Sequence, residues 1–419
     1  MVHWNSLMIF YLAAFAVSFT VCLVLSCLQL GHLRRHGGEV PAVFQGAVDP
    51  ETLARISRYT REASWFGILE SLCDGVLTLV VLLSGFLPWL LDRLPDWEGH
   101  FLLTGLLFFG CLALLSGVIG IPFDLYRTFV IERRHGFGTI TLRLWLIDQL
   151  KGFFISALLT GFLLWALLAI LLYAHRIWWL WAWLVFAAFQ GLLLWLYPGL
   201  IAPLFNRFEP VRDEGLRQAV AALVERSGLR SEGIYQVDAG KRSRHTNAYF
   251  TGIGKTKRIV LFDTLIASHT QEEIVAVLAH EIGHWQGRHV LKLLLLLAAG
   301  SLLLLWFLAQ VMVWPILYQT FGFDQIIPFV GLLLALAVLG PFSTLVSPVL
   351  PALQRRFERQ ADDAVLALTG LTAPFGEALK RLARDNLANL HPHPLYARFY
   401  YSHPPLAERI ERLSGNGGG

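Results

Sequence analysis

Charge is scarce in this sequence. Of 419 residues only 15% are Asp, Glu, Lys or Arg, against about 25% in an ordinary soluble protein. The formal net charge is just +4, and no basic tract is interleaved with aromatic residues, so nucleic acid is excluded as a partner. Cysteine is nearly as rare. Cys22, Cys27, Cys73 and Cys111 form no CxxC pair and all lie in apolar stretches. That excludes a cysteine zinc site and a disulfide framework, and buried packing is their expected role. No Lys or Arg precedes the first apolar stretch, residues 8–31, and that stretch exceeds the roughly 7–15 residues of a signal peptide's apolar region. It is expected to remain as a membrane span.

What the chain has in abundance is apolar residues, 55% of the total. They gather into seven stretches near the length of about 20 residues that a membrane-crossing helix needs: 8–31, 65–91, 101–121, 153–174, 177–202, 293–318 and 326–350. The loops between them alternate in basic content. Arg34, Arg35, Arg55, Arg58 and Arg61 fall in the first loop, and Arg127, Arg133, Arg134 and Arg143 in the third. Arg93 and Arg176 are nearly alone in the second and fourth. The segment after the fifth stretch is again rich in Arg and Lys, the loop after the sixth has none, and Arg355 and Arg356 follow the seventh. By the positive-inside rule the N-terminus lies outside, and the 206–289 segment and C-terminus lie in the cytoplasm.

This divides the chain into a membrane domain of five spans (1–205), a cytoplasmic α+β insert (206–289), two further spans (290–350) and a C-terminal helical segment (351–419). Glu70 and Asp74 sit one helical turn apart inside the second span, where ionisable groups ordinarily face protein or a wet cavity. Asp148 and Lys151 stand near a span end, where snorkelling suffices.

The insert opens with a helical pattern carrying Leu216, Val220, Leu223 and Val224 on one face. Three strand-like runs follow, GIYQVDA, NAYFTGI and RIVLFDTLI. Thr270 and Glu273 then form a capping box that starts a helix near residue 271. That helix contains His280-Glu281-Ile282-Gly283-His284. Histidines at i and i+4 project from one helical face, as two ligands of one tetrahedral zinc must. Glu281 can serve as general base toward a water that the metal acidifies. A catalytic zinc also takes a third protein ligand. RRFERQADDAVLAL, after the seventh span, supplies Glu358 as that ligand, with Asp362 at i+4 placed to hold a histidine's distal N–H. His289 is a weaker candidate ligand, because five residues beyond His284 it turns to another face.

With these motifs and spans, the chain resembles the CAAX prenyl protease 1 family of integral-membrane zinc metallopeptidases. YRTFVIERRHGFG (126–138), YPGLIAPLFNRFEPV (197–211), TNAYFTGIGKTKRIVLFDTLI (246–266), LAHEIGHW, RRFERQADDAVLAL and YYSHPPLAERIERL (400–413) carry the likeness over nearly the whole chain. The four-span heat-shock membrane protease family shares the zinc motifs but has too few spans.

The resemblance implies a predominantly α-helical polytopic membrane protein. Its seven transmembrane helices would enclose a chamber capped by a small α+β zincin-like (gluzincin) catalytic domain, with Glu70 and Asp74 facing the interior. It implies one zinc (Zn2+) per chain on His280, His284 and Glu358, with Glu281 as base. His403 would stabilise the oxyanion or donate a proton. Asn247, Ala248 and Tyr249 would meet an extended peptide along the edge at 247–252, and Arg409, grouped with these substrate contacts, would also pair with an acidic group of the site. In the eukaryotic family the substrate is a C-terminal CaaX sequence with a prenylated cysteine. The lack of a visible endoplasmic-reticulum retention signal favours a bacterial inner membrane over the endoplasmic reticulum, and there quality control of membrane proteins without prenyl substrates is the alternative role. A seven-span transporter would leave the metal motifs as coincidence. A catalytically silent zinc-bound scaffold would have no need of Glu281.

Overall fold

The computed structural model describes residues 2–229, 233–251 and 258–416. Among them are seven helices long and apolar enough to cross a membrane: Ser6–His36, Pro50–Leu83, Phe101–Arg134, Leu142–Tyr173, His175–Phe205, His289–Val311 and Pro328–Val346. We refer to them as spans 1 to 7. Their outer faces leave large apolar side chains uncovered, for example Phe154, Leu158 and Leu345, as helices facing lipid do.

The starts are set by local chemistry. Asn5 caps span 1 by accepting from the Met8 amide at 3.0 Å. Asp49 caps span 2, with Pro50 in the first turn, where its missing N–H costs nothing. Thr141 caps span 4.

Several ends differ from the hydropathy pattern. Span 2 stops at Leu83 rather than 91, because Gly85 takes a left-handed conformation (φ 79°) and a separate short helix, Phe86–Leu91, follows. Span 6 ends at Val311 rather than 318, and Pro315 starts a new short helix to Thr320. Span 7 loosens at Gly340–Phe342 instead of running straight to 350. Spans 3 and 5 contain Pro122, Pro198 and Pro203 and accommodate them with π-helical turns at Arg127–Ile131 and Tyr197–Ile201. No cysteine is buried: Cys27 and Cys111 are exposed on spans 1 and 3, contrary to the packing expected for them.

Spans 1, 2 and 7 and the C-terminal segment wall a cavity of about 940 Å³. Glu70 and Asp74 line an adjoining cavity of about 520 Å³ that also shares Gly67 and Ser71 with the first. Glu70 is ion-paired there with Arg127.

The insert forms a four-stranded sheet in the order β1 (Phe208–Pro210), β2 (Gly233–Val237), β4 (Arg258–Phe262), β3 (Ala248–Thr251). β1 and β3 are antiparallel to their neighbours, and β2 and β4 are parallel. The central β4 is covered on both faces, with Ile259, Val260 and Leu261 all buried, which is why it reads as a continuous apolar run. The DTLI end of the third predicted strand is helical instead, Asp263–Ser268. The core beneath the sheet draws on the first loop (Phe44, Val48), the insert (Leu216, Leu223, Ile274) and the C-terminal segment (Phe375, Ile410). These three parts of the chain therefore share one core.

The insert is tied to the membrane domain by Arg242, whose Nε and Nη2 donate to both oxygens of Asp148 on span 4 at 2.7 and 3.0 Å. Lys151 donates to the Leu204 carbonyl at 2.8 Å. Both polar groups thus have fixed partners beyond simple snorkelling. Arg242→Met should leave Asp148, whose side chain is 16% exposed, without its arginine, lowering stability by about 1–3 kcal/mol. The expected readout is a lower melting temperature in detergent with faster proteolysis of the insert. An unchanged melt would show that the pair does not hold the two parts together.

Candidate metal centre

The helix Gln271–Gln286 starts at the capping box seen in the sequence, with both reciprocal bonds present between Thr270 and Glu273. Along it, every residue from Glu273 to Gly283 is buried except Glu281. A second helix, Val349–Thr369, crosses it at very close range. A Cβ added to Gly283 would stand 2.8 Å from Ala364 Cβ and 2.9 Å from Ala361 Cα. Only glycine permits that approach, and the approach brings Glu358 to the two histidines.

The Nε2 atoms of His280 and His284 lie 3.2 Å apart. Glu358 sets Oε2 3.3 Å from His280 Nε2 and Oε1 3.1 Å from His284 Nε2. The three ligand atoms fall within 4.8 Å of one another. Oε2 of Glu358 is fully buried yet makes no hydrogen bond among the described residues. A buried carboxylate oxygen without a hydrogen bond is costly, and a cation between these donors offsets the cost. Two imidazoles and one carboxylate are also a donor set of catalytic zinc. The residues fit a metal.

Each histidine is held from behind. His280 Nδ1 lies 2.9 Å from Asp362 Oδ1. Arg409 is 7% exposed and grips Asp362 from Nε at 3.0 Å and Nη2 at 2.6 Å. That corrects the grouping of Arg409 with substrate contacts, because its guanidinium is buried against Asp362. His284 Nδ1 lies 3.0 Å from His289 Nδ1, and His289 Nε2 lies 3.0 Å from Gln360 Oε1. The Gln360 oxygen can only accept, so His289 carries its proton on Nε2 and receives one from His284 Nδ1. The His284 Nε2 lone pair is thereby left for the metal. His289 is not a ligand here; it orients one, with its ring stacked on Phe357 at 4.2 Å. Gly287 makes room for that ring. Nothing marks Gln360 beforehand except its place between Glu358 and Asp362.

Glu281 is half-buried and makes no hydrogen bond to another described residue. Burial raises its pKa, and the neighbouring His280 and His284 oppose this. Burial acts against the charged forms of Glu358 and Asp362 as well, but their histidine and arginine partners win and hold both below the usual carboxylate range. His403 is exposed, with Nε2 3.2 Å from Glu358 Oε1 and Nδ1 2.8 Å from Ser402 Oγ.

β3 is an edge strand, hydrogen-bonded only to β4 within the sheet, and it packs against the motif helix. Asn247 is exposed just before it, Ala248 is buried and Tyr249 half-buried. Residue 252, the end of the expected edge, lies outside the described residues. The entry to β3 is clamped by Asn386, which accepts from the Thr246 amide at 2.9 Å and donates to the Thr246 carbonyl at 3.2 Å. No motif announced that residue.

Two family descriptions match: "CAAX prenyl protease N-terminal, five membrane helices" over residues 29–207 and "Peptidase family M48" over residues 210–416. The chain is 34% identical to a CAAX prenyl protease 1 homolog of Arabidopsis thaliana, covering 90% of each protein. It is 32% identical to CAAX prenyl protease 1 of Saccharomyces cerevisiae, covering 90% of this chain and 88% of that one. The crystal structure of S. mikatae Ste24p superposes with a TM-score of 0.91 at 29% identity, over 98% of this chain and 100% of that one.

Two expectations follow from the geometry. Gly283→Ala should wedge the crossing helices apart, weakening metal binding by about tenfold or more while the spans stay folded. Unchanged affinity in a metal titration would show that the contact does not set the site. The second concerns pH. Burial opposes a charge on His280, but the carboxylates of Asp362 and Glu358 beside it outweigh this and raise its pKa to about 9. Below that pH a proton competes with the metal, so the affinity of chelator-stripped protein should climb about tenfold per pH unit between 7 and 9. A flat profile across that window would contradict the charge assignment.

Proposed function

The chain belongs to the CAAX prenyl protease 1 family of integral-membrane zinc metallopeptidases, and on that premise we propose that it holds one zinc ion on His280, His284 and Glu358. We further propose that it cleaves extended peptide segments, CaaX-type C-termini among them, laid along the free edge of β3. The observation that carries this reading is the packing of an open strand edge against the same helix that presents the two histidines. The relatives' name, CAAX prenyl protease 1, supplies the substrate class.

Bound zinc would supply Lewis acidity to the scissile carbonyl and to an attacking water. The chain's own residues do the rest. Glu281, unengaged and with a raised pKa, takes the proton of the attacking water and passes it to the leaving amine. His403 at the rim donates to the developing oxyanion. Asp362, fixed by Arg409, keeps the His280 ring aimed. Asn247 spends its Oδ1 on the Ala248 amide at 2.8 Å, which leaves its amide N–H groups for a substrate carbonyl. A substrate backbone pairing with β3 gains main-chain hydrogen bonds without regard to side chain. The arginine-rich first and third loops support a cytoplasmic location for this catalytic face.

The test is cleavage of a CaaX peptide, farnesylated and unmodified, by purified protein in detergent, with zinc content measured alongside. Glu281→Gln is expected to keep about one zinc per chain and lose about 10²–10⁴-fold in rate. Wild-type cleavage by Glu281→Gln would sink the assignment of the base. Folded wild-type protein that retained no zinc after purification would sink the metal assignment.

A further inference from the structure

A second polar cavity lies away from the metal centre, where spans 2 and 3 meet at the edge of the apolar zone. The span 2 helix changes character between Arg61 and Trp65: arginines occupy the turns before that point, and apolar residues dominate after it. Span 3 ends at the same level with Arg134. Between them is a cavity of about 890 Å³ lined by Arg55, Arg58, Arg61 and Arg134, with Trp65 and Tyr126 among its walls.

Four guanidinium groups face one carboxylate there, Glu62, and that carboxylate is already engaged by Arg134 and by His135 Nε2 at 2.8 Å. Arg55 reaches only the His135 carbonyl, at 3.4 Å. Arg58 and Arg61 have no hydrogen-bond or ion-pair partner among the described residues. Like charges gathered around a concavity raise its potential and draw in an anion, and guanidinium groups match the oxygens of a phosphate.

The walls identify the source of that phosphate. Trp65 and Leu69 are 51% and 50% exposed and Tyr126 is 43% exposed, and all three line the cavity. The cavity therefore opens onto the apolar surface of span 2, at the level where aromatic side chains favour the membrane interface. A free phosphate would use the arginines and leave this apolar wall wet.

The structure assigns this cavity to an anionic phospholipid, its phosphate held by Arg58 and Arg61 and its acyl chains lying along Trp65 and Leu69. Basic pockets between spans at a cytoplasmic interface bind acidic headgroups by this combination of charge and apolar contact. The site is separate from the proteolytic chemistry and does not depend on it.

The test uses the full-length protein in a neutral detergent, titrated with phosphatidylglycerol, phosphatidylcholine or inorganic phosphate, with lipid adducts counted by native mass spectrometry. Arg58→Gln/Arg61→Gln is expected to bind phosphatidylglycerol about 30-fold more weakly than wild type, with phosphatidylcholine binding unaltered in both. Melting temperatures in phosphatidylcholine confirm that the variant is folded. Should the double variant fail that control, Arg61→Gln alone is expected to lose about fivefold. Equal phosphatidylglycerol binding by wild type and the variant would overturn the assignment, as would equal binding of the two lipids by wild type. Inorganic phosphate displacing the lipid at similar concentration would make the cavity a phosphate site and overturn its lipid occupant.

Discussion

The contact between Gly283 and the Ala361–Ala364 turn is the constraint on which the site depends. The histidines and Glu358 are far apart in sequence, with spans 6 and 7 between them. Two ordinary helices pack about 8–10 Å apart, set by the side chains at their crossing. Removing the side chain at the crossing lets the backbones approach until a short carboxylate can reach two imidazole nitrogens. The second variable position of the HExxH string, Gly283, is therefore structural, and its smallness matters as much as the identity of the polar residues beside it.

The same helix pair also fixes how the ligands point. Glu358, Gln360 and Asp362 lie within five residues of one helix and address three different groups: the metal position, His289 and His280. Two chains of contacts, Arg409–Asp362–His280 and Gln360–His289–His284, set both ring orientations from outside. Such an arrangement concentrates negative charge in a buried place. Asp362 is gripped by Arg409 through two hydrogen bonds, whereas Glu358 Oε2 has Arg409 only at 3.9 Å and no hydrogen bond among the described residues. The protein pays for that oxygen until a cation arrives, so metal binding and local folding are thermodynamically linked.

Much of this could be read from the sequence, for identifiable reasons. HExxH and its capping box obey local helix geometry, and Glu358 and Asp362 follow the same period, so residue spacing placed all of them. The alternation of arginine-rich and arginine-poor loops likewise matched seven spans. Features that depend on distant parts of the chain stayed hidden. The helix interruptions at Gly85 and Gly340 are masked because hydropathy averages over a residue whose effect is on backbone conformation. β1 is three residues long and ends in Pro210, too short for alternation to register. Asn386 and Gln360 act through a single side-chain contact each, with no periodic pattern to mark them. The cysteines were misread because an apolar stretch does not say whether a side chain meets protein or lipid.

The membrane and catalytic parts are interdependent rather than joined end to end. The core under the sheet needs Phe44 and Val48 from the first loop and Phe375 and Ile410 from the last segment, so it cannot close until the chain has crossed the membrane and returned. A polar cavity among spans also has to avoid unsatisfied backbone groups, since lipid offers no hydrogen bonds. Here part of the polarity comes from hydroxyls carried on intact helices. Ser26 and Ser71 line the larger cavity and donate back to carbonyls of their own helices, at 3.0 and 2.9 Å. Each presents an oxygen to the interior while the helix ladder stays intact. Spans 1 and 2 thereby turn polar atoms to the interior without a break, whereas span 7 meets the same cavity through its irregular turn at Gly340 and Pro341.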